Sequence, residues 1–449
     1  MLATEIKRYK TKPIDCWGKS KELRDKYYKE MWEVTDKGGI LASGSTVTPH
    51  DLLSGFGLFD FIGGEPYGGY FSDLNPELAM ECFEALESRG FSTDPCAYMR
   101  IYWGAMLLDK SPWGRAPRPT FYMTIHVCDH HSKWYQFAAE HYGVPLISLE
   151  WPHSFTAEQL EIDIEYMAGQ YWDAIEKIEK IVGRKCDDEK LIEGVHTITE
   201  NMTLWPRICE YQRFIPSPFD TKQLVSLMVP LVQGVHRKET TYYLKDLLAE
   251  MQDRVENEIG SAEIEKARIW HVNTPPWFAL RIMKYPRIYG AVILGPTLYH
   301  IMNSYWVWND DYTERIPGKT VQEQGVELKT REDAVRFIAK RDYSGVGYSP
   351  GLIGLYSPMD PYNRDYETLR QMEKYQCQGA MLHINRGCPP QSTGILSVKR
   401  SLREHGIPAM TYEGSFADPR DLNEAQIIDS QESFLESMGL TKLSDYYSE

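Results

Sequence analysis

The sequence predicts an α/β protein: two Rossmann- or flavodoxin-like parallel-sheet domains joined by a helical layer, with a helical arm at the amino end. Two stretches carry that expectation. Between Pro119 and Pro152, Thr120–His126 is a short apolar, aromatic and β-branched strand, Asp129–His141 is helical, and Val144–Leu149 is the next strand. Far down the chain the pattern recurs: Gly379–Asn385 is a strand, Arg386–Pro390 a turn, Gln391–His405 a helix and Ile407–Tyr412 another strand. A right-handed crossover of this kind puts Cys128 and Cys388 at the carboxyl ends of parallel strands, where open α/β sheets bind their ligands. A cofactor held in a cleft between two α/β domains requires that placement.

The remaining elements follow in order. Residues 1–70 read as an amino-terminal helical arm and a substrate loop, 71–215 as the first α/β domain, 216–265 as a helical connector and 266–449 as the second α/β domain. Lys19–Val34 has Leu23, Tyr27, Tyr28 and Met31 at helical spacing, which makes it a packed amphipathic arm. Gly38–Tyr70 is rich in Gly, Ser and Thr, the composition of a loop that closes over a substrate, with a short helix expected over Asp51–Leu58. Within it, Ser43, Ser45, Thr46 and Glu65 are hydrogen-bonding candidates. Pro76–Gly90 is a helix carrying Cys82, and Pro95 places Cys96 in the first turn of the next one, at the positive end of its dipole. Thr156–Val182, Asp187–Tyr211 and Thr221–Gly260 supply helices between the sheets. Ala267–Asn273 opens the second domain, a helix begins at Pro275-Pro276-Trp277, Gly290–Leu294 is a strand, and Thr313–Tyr348 is a long excursion before that domain resumes near Tyr366.

Composition bounds the function. With 42% apolar and 12% aromatic residues there is ample material for large cores. The net charge of −15 argues against nucleic acid or an anionic membrane as the main partner. Met1–Lys12 is polar and basic, and no apolar run reaches transmembrane length, so a cytoplasmic location is expected. The eight cysteines include no CxxC pair, which excludes a zinc ribbon or ferredoxin motif and makes a disulfide framework unexpected. Cys96, Cys128 and Cys388 sit in favourable places for thiolates, and thiolates select zinc or iron-sulfur over hard cations. Joined in space by the fold, they are the candidate metal ligands. Cys377 is the nearest rival to Cys388.

The segments DPCAYMRIYWG, HVCDHHSKWY, HINRGCPPQS and TYEGSFADPRDLNEAQ resemble subunits of the 2-hydroxyacyl-CoA dehydratase and benzoyl-CoA reductase family, over nearly the whole chain. Within that family PIDCWGKSKELR, GGEPYG, the WYQ after the second cysteine and the insertion before the third look most like the larger cluster-carrying subunit of ATP-dependent benzoyl-CoA reductase. The resemblance implies a 4Fe-4S cluster on Cys96, Cys128 and Cys388, with one iron lacking a cysteine. It implies low-potential one-electron reduction of an aromatic acyl-CoA to a cyclic dienoyl-CoA, or, in the dehydratase branch, radical elimination of water from a 2-hydroxyacyl-CoA. His126, His130 and His131 are candidate proton donors near the cysteine turns, as is His383. Glu65 matches a family glutamate near the substrate, and Ser43 and Ser45 fall in the loop around the acyl group. Tyr98, Tyr102, Trp103, Trp134 and Tyr135 could shield a cluster, and the acidic Glu413–Asp421 segment is expected over the cleft. The chain departs from the family pattern at Pro389-Pro390-Gln391-Ser392 and at Ser430, which bears on substrate identity.

No GxxxxGK[ST] loop is present, and the resemblance implies separate ATPase and electron-donor subunits, a homologous cluster-bearing subunit and an acyl-CoA substrate. From a different functional class, a noncatalytic iron-sulfur or zinc scaffold subunit stands as the alternative.

Overall fold

The computed structural model describes residues 7–126, 128–152, 160–296, 300, 302–309, 314–344 and 364–443. Two four-stranded parallel sheets form its framework. Across the first sheet the strands run Phe59–Ile62, Leu41–Gly44, Phe121–His126, Leu146–Glu150. Across the second they run Ala291–Leu294, Ala267–Val272, Gly379–Asn385, Ala409–Gly414. Numbered by chain order within each sheet, both read 2-1-3-4, the flavodoxin-like order, whose switch point lies between strands 1 and 3. Both predicted strand-helix-strand units are present. The first matches within two residues at each boundary, with Asp129–Tyr142 as its helix.

The second unit departs from expectation in one respect. Its helix is broken into the single turn Pro389–Ser392 and Ile395–Glu404, because Gly394 takes a left-handed φ of 83° that an uninterrupted helix does not contain. Gly38–Tyr70, expected as a loop, instead supplies Leu41–Gly44 and Phe59–Ile62, two strands of the first sheet. Four-residue strands with almost every residue buried give no alternation to read, and their Gly and Ser content resembles a loop. The helix expected over Asp51–Leu58 is only Asp51–Ser54, and the 221–260 stretch is three helices: Thr221–Leu227, Val229–Gly234 and Lys238–Glu256.

The arm is packed, as its spacing requires. Cys16–Asp36 buries Tyr27, Tyr28 and Met31, Tyr28 stacks on Trp113 at 3.6 Å, and Tyr27 Oη donates to the Asp60 carbonyl while accepting from Ile62 N–H. The excursion after the second sheet's first two strands returns to the first sheet. Val321, Ala334, Val335 and Ile338 join the core of Phe121, Met123, Ile147 and Leu149. There Arg341 forms a bidentate buried pair with Asp51 at 2.9 and 2.8 Å. Residues 345–363 of the excursion lie outside the described residues.

The sheets face each other through specific contacts. Tyr98 stacks on Phe416 with ring centres 4.9 Å apart, and Arg100 pairs with Asp418 at 2.9 Å. Gly69 admits the Trp277 indole, to which a Cβ would approach within 2.8 Å. Among the described residues, no helix is long and apolar enough to cross a membrane.

Candidate functional site

The carboxyl ends of both sheets converge on one cavity of about 110 Å³. From the first sheet come Thr46 and Val47 after Leu41–Gly44, Glu65 after Phe59–Ile62, and Cys128 after Phe121–His126. From the second come Thr274 after Ala267–Val272, Cys388 after Gly379–Asn385, and Phe416 after Ala409–Gly414. The cavity therefore occupies the switch points of the two sheets at once.

Cys96, Cys128 and Cys388 all line this cavity. Cys96 and Cys128 are the residues that cap Ala97–Leu108 and Asp129–Tyr142, and Cys388 precedes the turn Pro389–Ser392. Two prolines fit that turn because its first N–H groups have no intrahelical acceptor. Gly387 has φ 74°, and a Cβ there would lie 2.8 Å from the Asp94 carbonyl and 2.9 Å from that of Pro95. The Cys96 and Cys388 turns thus touch through a glycine. The other cysteines are elsewhere: Cys16, Cys82, Cys186 and Cys209 are buried in the cores, and Cys377 packs against the core between the second sheet and its helices.

Helix amino ends were expected to favour thiolates, but burial outweighs them. Desolvation pushes the Cys96 thiol up to about 12 and that of Cys128 to about 11, and raises that of Cys388 well above its ordinary value. Backbone N–H groups of Met99 and Tyr98 at Cys96, of His131 and His130 at Cys128, and of Gln391 at Cys388 pull the other way. Cys128 also raises Cys96, and Cys96 and Cys128 both raise Cys388, as expected of sulfurs gathered at one place. Thiols raised this far are protonated at neutral pH. Among the described residues, no three His, Cys, Asp or Glu side chains stand close enough to hold a single metal ion.

Opposite the thiols, His131 Nε2 donates to Glu65 Oε1 at 2.5 Å, and Glu65 Oε2 accepts from Thr46 Oγ1 at 3.1 Å. Burial alone would raise the Glu65 carboxyl, but the His131 charge and hydrogen bond, with the Thr46 N–H, hold it below the ordinary range. His131 Nδ1 is buried and finds no hydrogen-bond partner among the described residues. His130 also lines the cavity, its basicity lowered by burial. Trp134, Tyr98, Trp277 and Phe416 form an aromatic wall. Tyr102 and Trp103 are buried in the core, with Tyr102 bonded to Tyr122 Oη at 2.9 Å. Tyr135 stacks on Trp134 behind the wall.

Other expected residues fall outside the cavity. His126 is bonded to Glu150 at 3.0 Å on the neighbouring strand, because the strand register sets those two residues opposite each other. Ser43 is buried within its strand, and Ser45 turns into the bend where Thr48 Oγ1 bonds its N–H; Thr46, next along, reaches the cavity. His383 lies behind the wall, Nδ1 bonded to the Thr274 carbonyl at 2.6 Å and its ring stacked on Tyr412. Of Glu413–Asp421, Phe416 rather than an acidic residue meets the cavity. Glu413 and Asp421 line a separate polar groove of about 780 Å³, where Arg386 pairs with Asp421 at 3.2 Å.

Sequence reasoning did not single out Thr274, Trp277 or Asn273 for this site, and named Gln391 only within the departure Pro389-Pro390-Gln391-Ser392. Gln391 Oε1 accepts from Thr274 N–H at 2.9 Å, and Asn273 Nδ2 donates to the carbonyls of His383 and Gln391. The signal that could have found them is position: each follows strand 1 or strand 3 of the second sheet, at its switch point.

Two parallel α/β sheets of one strand order, closing on a cavity with three separated cysteines, an acid-histidine pair and an aromatic wall, define a cysteine-lined cleft protein that could hold a metal group between its halves. The sequence profile described as 2-hydroxyglutaryl-CoA dehydratase, D-component, matches residues 46–438, and the chain belongs to that family. The chain is 26% identical to the (R)-phenyllactyl-CoA dehydratase alpha subunit of Clostridium sporogenes, over 76% of this chain and 76% of that one. It is 25% identical to the (R)-2-hydroxyisocaproyl-CoA dehydratase alpha subunit of Clostridioides difficile, over 90% and 91%. With (R)-2-hydroxyglutaryl-CoA dehydratase, subunit alpha, of Acidaminococcus fermentans the identity is 24%, over 72% and 61%. The relatives carry the names of dehydratase subunits, which favours the dehydratase branch of the expectation over the benzoyl-CoA reductase branch.

Proposed function

We propose that this chain is a subunit of a 2-hydroxyacyl-CoA dehydratase and that Cys96, Cys128 and Cys388 hold a 4Fe-4S cluster. The observation that carries the reading is the convergence of those thiols, from three separate elements, on one cavity with the Glu65–His131 pair. The donor set fits the group. Thiolates are the ligands of iron-sulfur clusters, and a cubane spreads its cysteines around several irons, farther apart than the ligands of one zinc ion.

When bound, such a cluster supplies a single electron of low potential to a thioester carbonyl. The chain's own residues do the rest. Trp277, Phe416 and Tyr98 enclose the acyl group and keep water from the reacting carbon. Glu65, held anionic by His131 and Thr46, orients the 2-hydroxyl, and His131 delivers the proton with which that hydroxyl leaves as water. A homologous cluster-bearing subunit and a separate ATPase electron donor complete the complex.

The aromatic wall, with the PIDCWGKSKELR and GGEPYG segments, favours a second reading in which an aromatic acyl-CoA is reduced. Electron accounting separates the two: a dehydratase recycles its electron and needs only catalytic ATP, whereas ring reduction consumes ATP and reductant at every turnover. The test is anaerobic purification, with iron and sulfide counted per chain. Serine at 96, 128 or 388 is expected to abolish cluster binding, and serine at 377 to leave it intact. An iron-free wild-type chain, or equal iron in all four variants, overturns the cluster assignment.

A further inference from the structure

Val47, Tyr98, Met228, Trp277, Met302 and Phe416 give the cavity an apolar lining. The seats of two of these rings are made by the helix that Glu65 opens, Glu65–Leu74. A Cβ at Gly68 would lie 2.8 Å from the Tyr98 Cα, and one at Gly69 would lie 2.8 Å from the Trp277 indole, so two bare backbone positions receive both side chains. Tyr98 is braced in turn by the Phe416 ring, which lies within 9° of parallel to it. Met228 and Met302 complete the lining with unbranched thioether chains, which adapt to what enters between the rings.

The charge of the cavity is as particular as its shape. Glu65 is the carboxylate of the lining, and it is matched by His131 at 2.5 Å. His130, the other histidine there, sits in the first helical turn after Cys128. Every lysine and arginine of the sequence lies among the described residues, and none of them lines the cavity. A carboxylate carried in on an acyl side chain would therefore lose its water in the same space as Glu65, with no guanidinium or ammonium to receive it. A hydrocarbon side chain, by contrast, gains free energy by leaving water for this lining.

We infer that the acyl side chain this cavity accepts is uncharged and apolar, and that a dicarboxylic acyl group such as glutaryl is rejected. The inference rests on the reading of the chain as an acyl-CoA enzyme and adds to it the class of acyl group. Met302 is the place to probe it, because it is only partly buried and a cation put there changes the charge of the cavity without emptying the core.

The experiment measures dissociation constants by anaerobic equilibrium dialysis on the full chain in its reconstituted complex. The ligands are free CoA, isocaproyl-CoA, 3-phenylpropionyl-CoA and glutaryl-CoA, none of which carries a 2-hydroxyl, and ATP is withheld. Isocaproyl-CoA and 3-phenylpropionyl-CoA are expected to bind at least about tenfold more tightly than glutaryl-CoA, and glutaryl-CoA no more tightly than free CoA. Equal affinity for glutaryl-CoA and isocaproyl-CoA overturns the inference. Met302→Arg in this chain alone is expected to shift the preference toward glutaryl-CoA, and Met302→Leu to keep it. A preference that arginine does not move places the acyl side chain outside this cavity and overturns the inference as well. If no acyl-CoA binds more tightly than free CoA, the acyl-CoA reading falls and the inference with it. If the selectivity is present but 2-hydroxyisocaproyl-CoA loses no water when ATP and reductant are supplied, the dehydratase reading falls and the inference stands.

Discussion

At the scale of single residues, the site's chemistry rests on environment rather than residue type. Glu65 is a carboxylate that burial would neutralise, and two neighbours reverse the outcome: His131 at 2.5 Å and Thr46 at 3.1 Å. Replacing it by Gln keeps the shape and removes the charge. Glu65→Gln is expected to lower turnover of the reconstituted complex by about 10²–10⁴, the usual weight of a positioned acid-base group. Iron per chain should stay at the wild-type value, and a loss of iron in parallel with activity would show that Glu65 supports the cleft rather than the reaction. His126 was as good a candidate as His131 from its distance to a cysteine in the sequence. Strand register separates them, since the last residue of the strand points at Glu150 whereas His131 lies one helical turn into the cavity.

At the scale of elements, the cluster site depends on turns. Cys388 is held by a left-handed glycine on one side and two prolines on the other, and Gly387 lets this turn lie against Asp94 and Pro95 beside Cys96. Gly387→Ala meets two backbone carbonyls under 3 Å and a φ that alanine rarely adopts. It is expected to cost about 1–3 kcal/mol in denaturant unfolding and to reduce iron uptake, by pushing the Cys388 turn away from Cys96. Wild-type iron and stability in this variant would mean that the two turns adjust independently. Both strand-helix-strand units were legible because strands of six and seven mostly apolar residues followed by a helical period leave little ambiguity. Leu41–Gly44 and Phe59–Ile62 were not, since four buried residues among glycines carry no period.

At the scale of the whole molecule, the cleft exists because the segments at the carboxyl ends of the two sheets are locked together. Arg100 and Asp418, 3% and 2% exposed, bridge them at 2.9 Å, and Arg420 adds a second cation on Asp418 at 2.7 Å. Removing Asp418 leaves the buried Arg100 with only Glu87 at 3.5 Å among the described residues, so Asp418→Asn is expected to cost about 3 kcal/mol. Burial would raise the Asp418 carboxyl, but Arg420 and Arg100 hold it below the ordinary range. A depressed carboxyl contributes stability above its unfolded value, about 3.9, and loses it as pH falls through the folded one. Urea unfolding followed from pH 6 to pH 3 should show wild-type stability falling in acid more steeply than that of Asp418→Asn, and parallel curves would refute the bridge. By itself the sequence determined the α/β class, both cysteine-bearing crossovers and the three cysteines worth pursuing, because apolar period and turn chemistry are local properties of the chain. Only the tertiary structure decided that Cys96, 32 residues from Cys128 and 292 from Cys388, opens on the same space, that Thr46 and His131 rather than Ser45 and His126 face it, and that the 314–344 excursion covers the first sheet. Those outcomes depend on sheet order, register and the contact between two sheets, and no single stretch of the chain contains any of them.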